Sequence, residues 1–283
     1  MPRQIDDSSP LLPEAQRYYS EYNEAGRLFR GAGQLERLRT QEIITRYATP
    51  APATVLDIGG GPGVYALWLA RQGYTVHLLD AMPLHIEQAR EAAQDQSDTP
   101  LASLQVGDAR HLPFEDESAE IVLLLGPLYH LVERSERLLA LREARRVLRP
   151  GGWLFAAAIS RFAPLLQGFF SIPEALLDAD EIELLHHDVT TGQHRNFSGD
   201  INNFTTTYFH HPDELRSEVS EAGLHDKAIL AVEGPIWASA GTITHLQNEQ
   251  WRANYLSLMR LVEHDPTLLG SSAHLLAVAR RES

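Results

Sequence analysis

The sequence predicts an α/β fold in which helices cover both faces of a mostly parallel sheet. Short, continuously apolar runs alternate with amphipathic stretches from residue 54 onward. Continuous apolar runs are typical of strands that are buried on both faces, and their alternation with helices is typical of parallel sheets. The chain has 283 residues, of which 43% are hydrophobic, so it can bury a full core of this kind.

Apolar runs predict the strands of this sheet in order. The first five are TVLDIGG, YTVHLLD, SLQVGD, AEIVLLLG and WLFAAAIS. GVYALWLARQG predicts a helix that ends at Gly73, and PLHIEQAREAAQ predicts one that begins at Pro83, since proline suits a first helical turn. The motif RPGG stops the helix before the fifth strand. Later, HPDELRSEVSEAG predicts another helix, and DKAILAVEG and SAHLLAVARR predict two more strands.

Two segments between these elements are far longer than a usual connection. If the strand near residues 227–232 is parallel to the others and the last strand is antiparallel, both segments leave the carboxyl edge of the sheet, where open α/β sheets bind ligands. We therefore expect them to cap a binding site. The predicted units are N-terminal helices that cover the site (1–50), the core (51–160), a cap insert (161–205), the continued core (206–234), a helical cap insert (235–270) and the last core strand (271–283).

The composition disfavours several kinds of partner. Because the chain has no cysteine, disulfides and thiolate metal sites are excluded. Its formal net charge of −14 disfavours nucleic acid, whose binding depends on neutralising phosphates with Lys and Arg. The basic run at 136–149 carries Glu136 and Glu143 among its arginines at helical spacing, which indicates a solvated helix face. No apolar stretch reaches the roughly 20 residues of a membrane span. We expect a soluble, cytoplasmic protein that binds neither nucleic acid nor a membrane.

The stretch VLDIGGGPG places Asp57 directly before a glycine-rich turn. In dinucleotide-binding folds such a turn holds a pyrophosphate, which a carboxylate would repel. A nucleoside with positive charge and no phosphate would instead be attracted. S-adenosylmethionine carries an ammonium and a sulfonium and has no phosphate, so Asp57 favours this cofactor. The alternative for Asp57 is a residue that only caps the turn.

Two further carboxylates end the next strands of the predicted sheet. Asp80 follows the glycines by about twenty residues, the spacing at which an acid can accept hydrogen bonds from both ribose hydroxyls. Asp108 ends the third strand, where it can accept from the exocyclic amine of adenine. Three acids at the ends of three consecutive strands are a more specific signal than the glycines alone.

The motifs VLDIGGGPG, LLDAMP, VGDARHLPF, AEIVLLLGPLYHL and RVLRPGGWLF follow one another in this order. They resemble those of class I S-adenosylmethionine-dependent methyltransferases, and within that family the type 11, small-molecule branch common in bacteria. The resemblance covers residues 54–160 closely. It implies a Rossmann-like, seven-stranded sheet of order 3-2-1-4-5-7-6 with the last strand antiparallel.

The resemblance and the charge argument together define an expected cofactor site. The glycines let the backbone approach the methionine portion, and the backbone at Leu125 faces its ammonium. Asp80 holds the ribose, Asp108 and Ala109 meet the adenine, and Met82 lies against it. The expected residues are Asp57, Gly59, Gly60, Gly61, Gly63, Asp80, Ala81, Met82, Asp108, Ala109 and Leu125.

In this family the acceptor lies beyond the fourth strand, here at LGPLYHL. His130 is the candidate general base, because the unperturbed pKa of histidine, about 6.5, suits proton transfer at neutral pH. The alternative is a histidine that packs or caps a helix. Tyr129 either binds acceptor or cofactor or fills the wall. Gly126 stands where enzymes that methylate adenine carry Asn or Asp, and no acid here could hold Mg²⁺, so we expect a metal-independent transfer.

Other segments supply candidates for closing the site. Tyr208 and His210, in TTTYFHHPDEL, are candidates to bind the acceptor. The histidine pairs at 186–187 and 210–211 do not predict zinc, because adjacent side chains diverge on a strand or a helix. An arginine of the N-terminal helices can pair with the cofactor's carboxylate, although spacing does not decide which one. Of the suitable residues Tyr18, Tyr19, Arg27 and Arg39, we retain Tyr19 and Arg39 as candidates.

These features predict a methyltransferase that moves a methyl group from S-adenosyl-L-methionine to oxygen, nitrogen or carbon of a small-molecule acceptor and leaves S-adenosyl-L-homocysteine. We expect a monomer or a homodimer. One alternative is a protein that binds S-adenosylmethionine without methylating. Another is a nicotinamide-dependent oxidoreductase, which Asp57 and Asp108 disfavour. A module that binds macromolecules would need a basic face, and the sequence offers none.

Overall fold

The computed structural model describes residues 11–196, 204–239, 241 and 243–282. The strands within them are β1 (Thr54–Ile58), β2 (Thr75–Asp80), β3 (Ser103–Val106), β4 (Ala119–Leu124), β5 (Leu148–Ile159), β6 (Gln193–His194), β7 (Thr207–Tyr208), β8 (His225–Ala231) and β9 (His274–Arg280). Seven of them form one sheet of order β3-β2-β1-β4-β5-β9-β8, and β6 pairs with β7 alone. Strand β9 is antiparallel to both neighbours and the other pairs are parallel. With the β6–β7 hairpin left aside, this is the predicted strand order, and the prediction is confirmed.

Helices cover the sheet and its carboxyl edge. They are α1 (Pro13–Glu21), α2 (Glu24–Arg27), α3 (Gly33–Tyr47), α4 (Val64–Ala70), α5 (Pro83–Gln94), α6 (Pro127–His130), α7 (Arg134–Val147), α8 (Ala163–Phe170), α9 (Ala179–Thr191), α10 (Pro212–Glu221), α11 (Glu249–Val262) and α12 (Pro266–Leu269). Short 3₁₀ turns lie at Pro173–Leu177, Pro235–Ala238 and Ile243–His245. Within the described ranges, no helix combines the length and the apolar character needed to span a bilayer.

The helix boundaries follow local signals in the sequence. Helix α5 begins at Pro83, as predicted. Helix α10 begins with a capping box, in which the His211 ring accepts from the backbone N–H of Asp213 and the Glu214 carboxylate accepts from the backbone N–H of His211. Strand β5 begins at Leu148, earlier than predicted and directly before the RPGG stop signal. The reason is pairing on both sides, since Leu148 pairs with Ala119 of β4 and the N–H of Gly151 donates to the carbonyl of Arg281 at 2.7 Å.

The core consists of two apolar layers, one on each face of the sheet. Neighbouring residues of β1, Val55 and Leu56, belong to opposite layers, and so do Ile121 and Val122 of β4. All four side chains are at most 1% exposed. Helices α7, α10 and α11 complete one layer, and helices α3, α4 and α5 complete the other. Burial on both faces explains why these strands read as continuous apolar runs.

Both long segments begin at the carboxyl edge of the sheet. Strands β8 and β5 are parallel to each other, because each is antiparallel to β9. The chain leaves β5 after Ile159 for α8, α9 and the β6–β7 hairpin, and it leaves β8 after Ala231 for α11 and α12. The predicted exit point of both segments is therefore confirmed, and it lies at the edge where β1, β2 and β4 also end.

Candidate active site

The turn between β1 and α4 is built from glycines at alternate positions. Gly59 and Gly61 have φ of +68° and +56°, a left-handed conformation that favours glycine. A Cβ at Gly59 would lie 2.6 Å from the ring of Pro127, so Gly59 lets the turn pack against the start of α6. A Cβ at Gly61 would come no closer than 3.9 Å to its nearest neighbour, Glu24. Gly61 therefore borders open space, whereas Gly59 serves packing.

Asp57 lies beneath this turn and is fully buried. Neither of its carboxylate oxygens has a hydrogen-bond partner among the described residues. Burial, and after it the negative charge of Asp80, raise the pKa of Asp57 to about 7, while the nearby backbone N–H of Ala66 acts more weakly in the opposite direction. A Cβ at Gly60 would lie 2.6 Å from Asp57 Oδ2, so Gly60 makes room for the carboxylate. A buried, unpaired carboxylate costs free energy that a cationic ligand would recover.

Asp80 ends β2, and its carboxylate is held from three sides. Oδ1 accepts from the backbone N–H of Met82 at 2.8 Å and from Nδ1 of His85 at 3.0 Å. Oδ2 accepts from the backbone N–H of Gly61 at 2.8 Å. These bonds tie the glycine-rich turn to the start of α5. They fix the carboxylate at the edge of the sheet.

Asp108 follows β3 and forms a bidentate ion pair with Arg110. The Arg110 guanidinium donates to both oxygens of Asp108, with Nη2 at 2.8 Å from Oδ2, and it also pairs with Glu136. Burial acts to raise the pKa of Asp108, but the hydrogen bonds and charge of Arg110 outweigh it and hold this pKa below its usual range. Asp108 is therefore an ionised acceptor whose orientation is fixed by Arg110.

Two adjoining cavities open along this edge, and Gly59, Gly61 and Tyr129 line both. The first cavity has a volume of about 100 Å³, and the second about 60 Å³. Residues at the ends of β2 and β3 and on α1 and α6 line the first, including Tyr19, Asp80, Ala81, Met82, Asp108, Ala109 and His130. The second lies beneath α2 and α3, and Asp57, Gly60 and Leu125 line it.

Tyr19 and His130 meet in the first cavity. The Tyr19 hydroxyl lies 2.7 Å from Nε2 of His130, while Nδ1 of His130 is buried without a partner among the described residues. Burial lowers the pKa of His130 to about 4, although the charge of Asp80 opposes the shift. The ring is therefore neutral at physiological pH. Burial also raises the pKa of Tyr19 and of Tyr129, so both phenols stay protonated.

The second cavity is lined by opposite charges. Arg27 pairs with Glu24 at 2.8 Å and, through both terminal nitrogens, with Glu36. His274, at the start of β9, donates from Nδ1 to Glu233 at 2.6 Å. Burial opposes protonation of His274, but the charges of Glu36 and Glu233 raise its pKa to about 9. The cavity that Asp57 lines thus also has two cations in its wall, Arg27 and His274.

Residues 56–156 match the Methyltransferase domain family. The chain is 35% identical over 121 residues to methyltransferase GfsG of Streptomyces halstedii, a match that covers 42% of each chain. It is 33% identical over 128 residues to the ubiquinone/menaquinone biosynthesis C-methyltransferase UbiE of Acidiphilium cryptum, covering 45% of this chain and 50% of that one. The chain thus spans half or less of the length of these two relatives.

Among solved structures, the fold is similar to that of an S-adenosylmethionine-dependent methyltransferase from Methanosarcina mazei. The TM-score is 0.57, with 20% identity, over 85% of this chain and 97% of the other. Residues 56–156 form a methyltransferase domain, and its fold is that of S-adenosylmethionine-dependent methyltransferases. S-adenosylmethionine is the cofactor of such domains.

The structure brings most of the expected cofactor residues of this methyltransferase domain together. All of them line one of the two cavities except Gly63 and Arg39. Gly63, with φ of +84°, begins α4 and lies against Ala89 of α5, where a Cβ would be 3.3 Å from the Ala89 side chain. Gly63 therefore serves helix packing at this position.

Arg39 lies away from both cavities. Its guanidinium is fully buried and donates to the Glu42 and Glu263 carboxylates and to the carbonyl of Val232. Because Arg39 lines neither cavity, its position does not support a contact with the cofactor. Arg27 is the arginine of the N-terminal helices that lines the second cavity.

The two residues expected to bind the acceptor from the cap also lie elsewhere. Arg137 stacks on the Tyr208 ring at 3.7 Å, and the Tyr208 hydroxyl contacts Arg161 and Glu214. His210 is fully buried, with Nε2 3.3 Å from Glu218. Both side chains belong to a buried ion-pair cluster that anchors the cap. Their positions do not support a role in acceptor binding.

Among the described residues, Glu36, Glu233 and His274 place three possible metal-ligand atoms within 4.8 Å. However, these atoms already form hydrogen bonds and ion pairs within the protein. Glu36 accepts from Arg27, and Glu233 accepts from His274 and from the hydroxyl of Ser272 at 2.8 Å. A protonated histidine offers no lone pair to a metal. The cluster is organised as an ion-pair network in the wall of the second cavity.

Sequence reasoning missed two residues of the first cavity. Arg110 stands two residues after Asp108, a spacing that allows a side chain to fold back on the preceding carboxylate. His85 stands five residues after Asp80, in the first turn of α5, and a polar side chain in the first turn after a strand-end acid is the signal that could have found it.

Proposed function

We propose that this protein transfers a methyl group from S-adenosylmethionine to a small-molecule acceptor without a metal and leaves S-adenosylhomocysteine. One observation carries the proposal. Three carboxylates, Asp57, Asp80 and Asp108, line the two adjoining cavities at the carboxyl edge of the sheet. This arrangement suits a cationic nucleoside and repels a diphosphate.

The second cavity suits the methionine portion of the cofactor. Asp57, with two unpaired oxygens, would hold the ammonium, and the backbone at Leu125 lines the same space. Arg27 would pair with the carboxylate, because its guanidinium stands at the cavity wall with Glu24 and Glu36 fixing its position. The donor set therefore matches both charges of the amino acid moiety.

The first cavity suits the nucleoside. Asp80, held by three hydrogen bonds, would accept from the ribose, and Asp108, held by Arg110, would accept from the adenine amine. Met82 and Ala109, both at most 8% exposed, supply apolar surface beside them. The two carboxylates thus lie where the hydroxyl and amine donors of a phosphate-free nucleoside would be.

The chemistry of transfer requires position more than acid–base power. S-adenosylmethionine, when bound, supplies an electrophilic methyl group on sulfur. His130, neutral because burial lowers its pKa to about 4, would accept a hydrogen bond from the acceptor's nucleophile, since a ring with this pKa is a weaker base at neutral pH than the sequence predicts. The Tyr19 hydroxyl would fix the orientation of this ring through Nε2, and Tyr129 would close the wall beside it. Helix α1 would exclude water from the same space.

A small acceptor is favoured by the position of the site. Residues of the N-terminal helices α1 and α2 line the two cavities and cover the carboxyl edge of the sheet, which favours a small molecule over a macromolecular surface. The similar UbiE is named for a methylation on carbon in ubiquinone and menaquinone biosynthesis, which supports a small-molecule acceptor here.

Turnover tests the proposal directly. The protein is incubated with S-adenosylmethionine and a panel of phenols, amines and carbon nucleophiles, and S-adenosylhomocysteine is measured. We expect formation with at least one acceptor class. His130→Ala should leave S-adenosylhomocysteine affinity unchanged and slow turnover by about 10²-fold or more, whereas His225→Ala, on the exposed end of β8, should change neither. Binding of S-adenosylhomocysteine without any turnover would contradict methyl transfer, and unchanged turnover of His130→Ala would remove this residue from the reaction.

A further inference from the structure

We propose that His85 completes the ribose site, with Nε2 of its ring accepting a hydrogen bond from one ribose hydroxyl of the bound nucleoside. The inference rests on the proposed function, since it takes the first cavity as the nucleoside site. It replaces the expectation that Asp80 alone serves both hydroxyls.

Hydrogen bonds within the protein occupy most of the acceptor positions of Asp80. A carboxylate has about four acceptor positions, two on each oxygen. Oδ1 accepts from Met82 N and His85 Nδ1, which fills it, and Oδ2 accepts from Gly61 N. One position is left, on Oδ2. A ribose offers two hydroxyl donors, so the second hydroxyl needs another acceptor.

The contact with Asp80 fixes which nitrogen of His85 carries the proton. An ionised carboxylate can only accept hydrogen bonds, so the ring nitrogen that lies 3.0 Å from Asp80 must carry the proton. In a neutral ring with the proton on Nδ1, Nε2 has a free lone pair. Asp80 therefore prepares His85 as an acceptor, in the way that a carboxylate fixes the proton position of a histidine in other sites.

His85 is buried and lies in the wall of the first cavity. The side chain is 4% exposed and lines the first cavity together with Asp80 and Met82. Its Nε2 is buried and has no hydrogen-bond partner among the described residues. The edge of the Tyr19 ring packs against the imidazole, with ring centroids 5.1 Å apart, so the ring is held in place. A buried acceptor without a donor is costly unless a ligand supplies one.

The chain offers a matched pair of variants. In His85→Asn the short amide can still donate to Asp80, but no atom remains at the position of Nε2. In His85→Gln the longer amide places an acceptor near that position. Isothermal titration of S-adenosylhomocysteine and of its 2′-deoxy and 3′-deoxy analogues against the full chain and both variants forms a double-mutant cycle.

We expect wild type to bind one of the two deoxy analogues about five- to tenfold more weakly than S-adenosylhomocysteine. This factor corresponds to the loss of one neutral hydrogen bond. His85→Asn should lose about the same factor for S-adenosylhomocysteine and should then discriminate against that analogue by less than about twofold. His85→Gln should bind within about threefold of wild type and keep the discrimination.

Equal discrimination by wild type and His85→Asn against both analogues would overturn the inference. Should His85→Asn fail to fold, judged by its thermal transition without ligand, His85→Phe takes its place in the cycle, because phenylalanine keeps a ring at this position but has no acceptor. Wild type that binds none of the three nucleosides would contradict the proposed function instead, so the two failures are distinguishable.

Discussion

Two buried carboxylates of this protein, Asp57 beneath the glycine-rich turn and Glu218 on α10, are held in opposite ways. Asp57 has no hydrogen-bond partner among the described residues, and burial raises its pKa to about 7. Glu218 accepts two hydrogen bonds from Arg137 Nε and Nη2 and one from His210. Burial acts to raise the pKa of Glu218 as well, but these partners lower it to about 2.

The difference separates a binding region from an anchoring region. The Arg137–Glu218 pair joins α7 to α10 and, through the stacking on Tyr208, to the cap. Arg39 and Glu263 join α3 to the end of α11 in the same way. In both anchors every charge has its partner within the protein. In the part of the chain that the structure describes, Asp57 forms no such ion pair, which is expected where a cationic ligand supplies the opposing charge.

The largest effect is expected from breaking an anchor. Arg137→Met removes the partner of Glu218 and should lower the free energy of unfolding by about 3–5 kcal/mol, because a buried charge is left unpaired. Urea unfolding measures this loss. Arg142→Met, on the same helix, is the matched control. Arg142 pairs with Glu221 at 3.9 Å and both side chains are about half exposed, so the substitution should cost less than about 1 kcal/mol. Equal effects of the two variants would contradict the assignment of Arg137 as an anchor.

Replacing Asp57 should have the opposite effect and raise the free energy of unfolding. Since the pKa of Asp57 is raised to about 7, the folded state keeps a proton that the unfolded chain loses near pH 4. Ionisation therefore lowers the stability of the unliganded protein as the pH rises through this window. Asp57→Asn should raise the free energy of unfolding by about 2–4 kcal/mol at pH 8, and by clearly less at pH 5. A loss of stability at pH 8 would show that Asp57 has a structural partner.

A smaller effect is expected for the ribose acid. Asp80→Ala removes the remaining acceptor for a ribose hydroxyl and the partner that orients His85. We expect S-adenosylhomocysteine to bind ten- to a hundredfold more weakly, which corresponds to about 1.5–3 kcal/mol for hydrogen bonds to a charged group. Calorimetry at constant pH measures the change. Wild-type affinity in this variant would place the ribose elsewhere.

Much of the fold could be predicted from the sequence because it depends on local patterns. Strands buried on both faces must be apolar throughout, and Pro83 and Gly73 mark the ends of helices by their backbone restrictions. The acids at the strand ends could be found for the same reason, since the carboxyl ends of parallel strands meet at one edge. Asp57, Asp80 and Asp108 all line the cavities there.

The contacts of long side chains between distant segments could not be predicted. Arg39 and Arg27 both lie on helices before β1, and only the tertiary packing turns one toward Glu263 and the other toward the second cavity. Tyr208 and His210 belong to a segment with aromatic and polar residues typical of a binding loop. Their pairing with Arg137 and Glu218 depends on how α7 meets α10, which spacing along the chain does not encode.

The central claim is that Asp57 is kept unpaired for a cationic ligand, and the pH dependence of binding tests it most directly. Affinity for S-adenosylhomocysteine is measured by calorimetry from pH 5.5 to 8.5 for wild type and Asp57→Asn. For wild type we expect the affinity to rise by up to about tenfold per pH unit below pH 7 and to level off above it. Asp57→Asn should bind more weakly at pH 8 and show no such rise. A flat wild-type profile, or the same rise in both proteins, would contradict the claim.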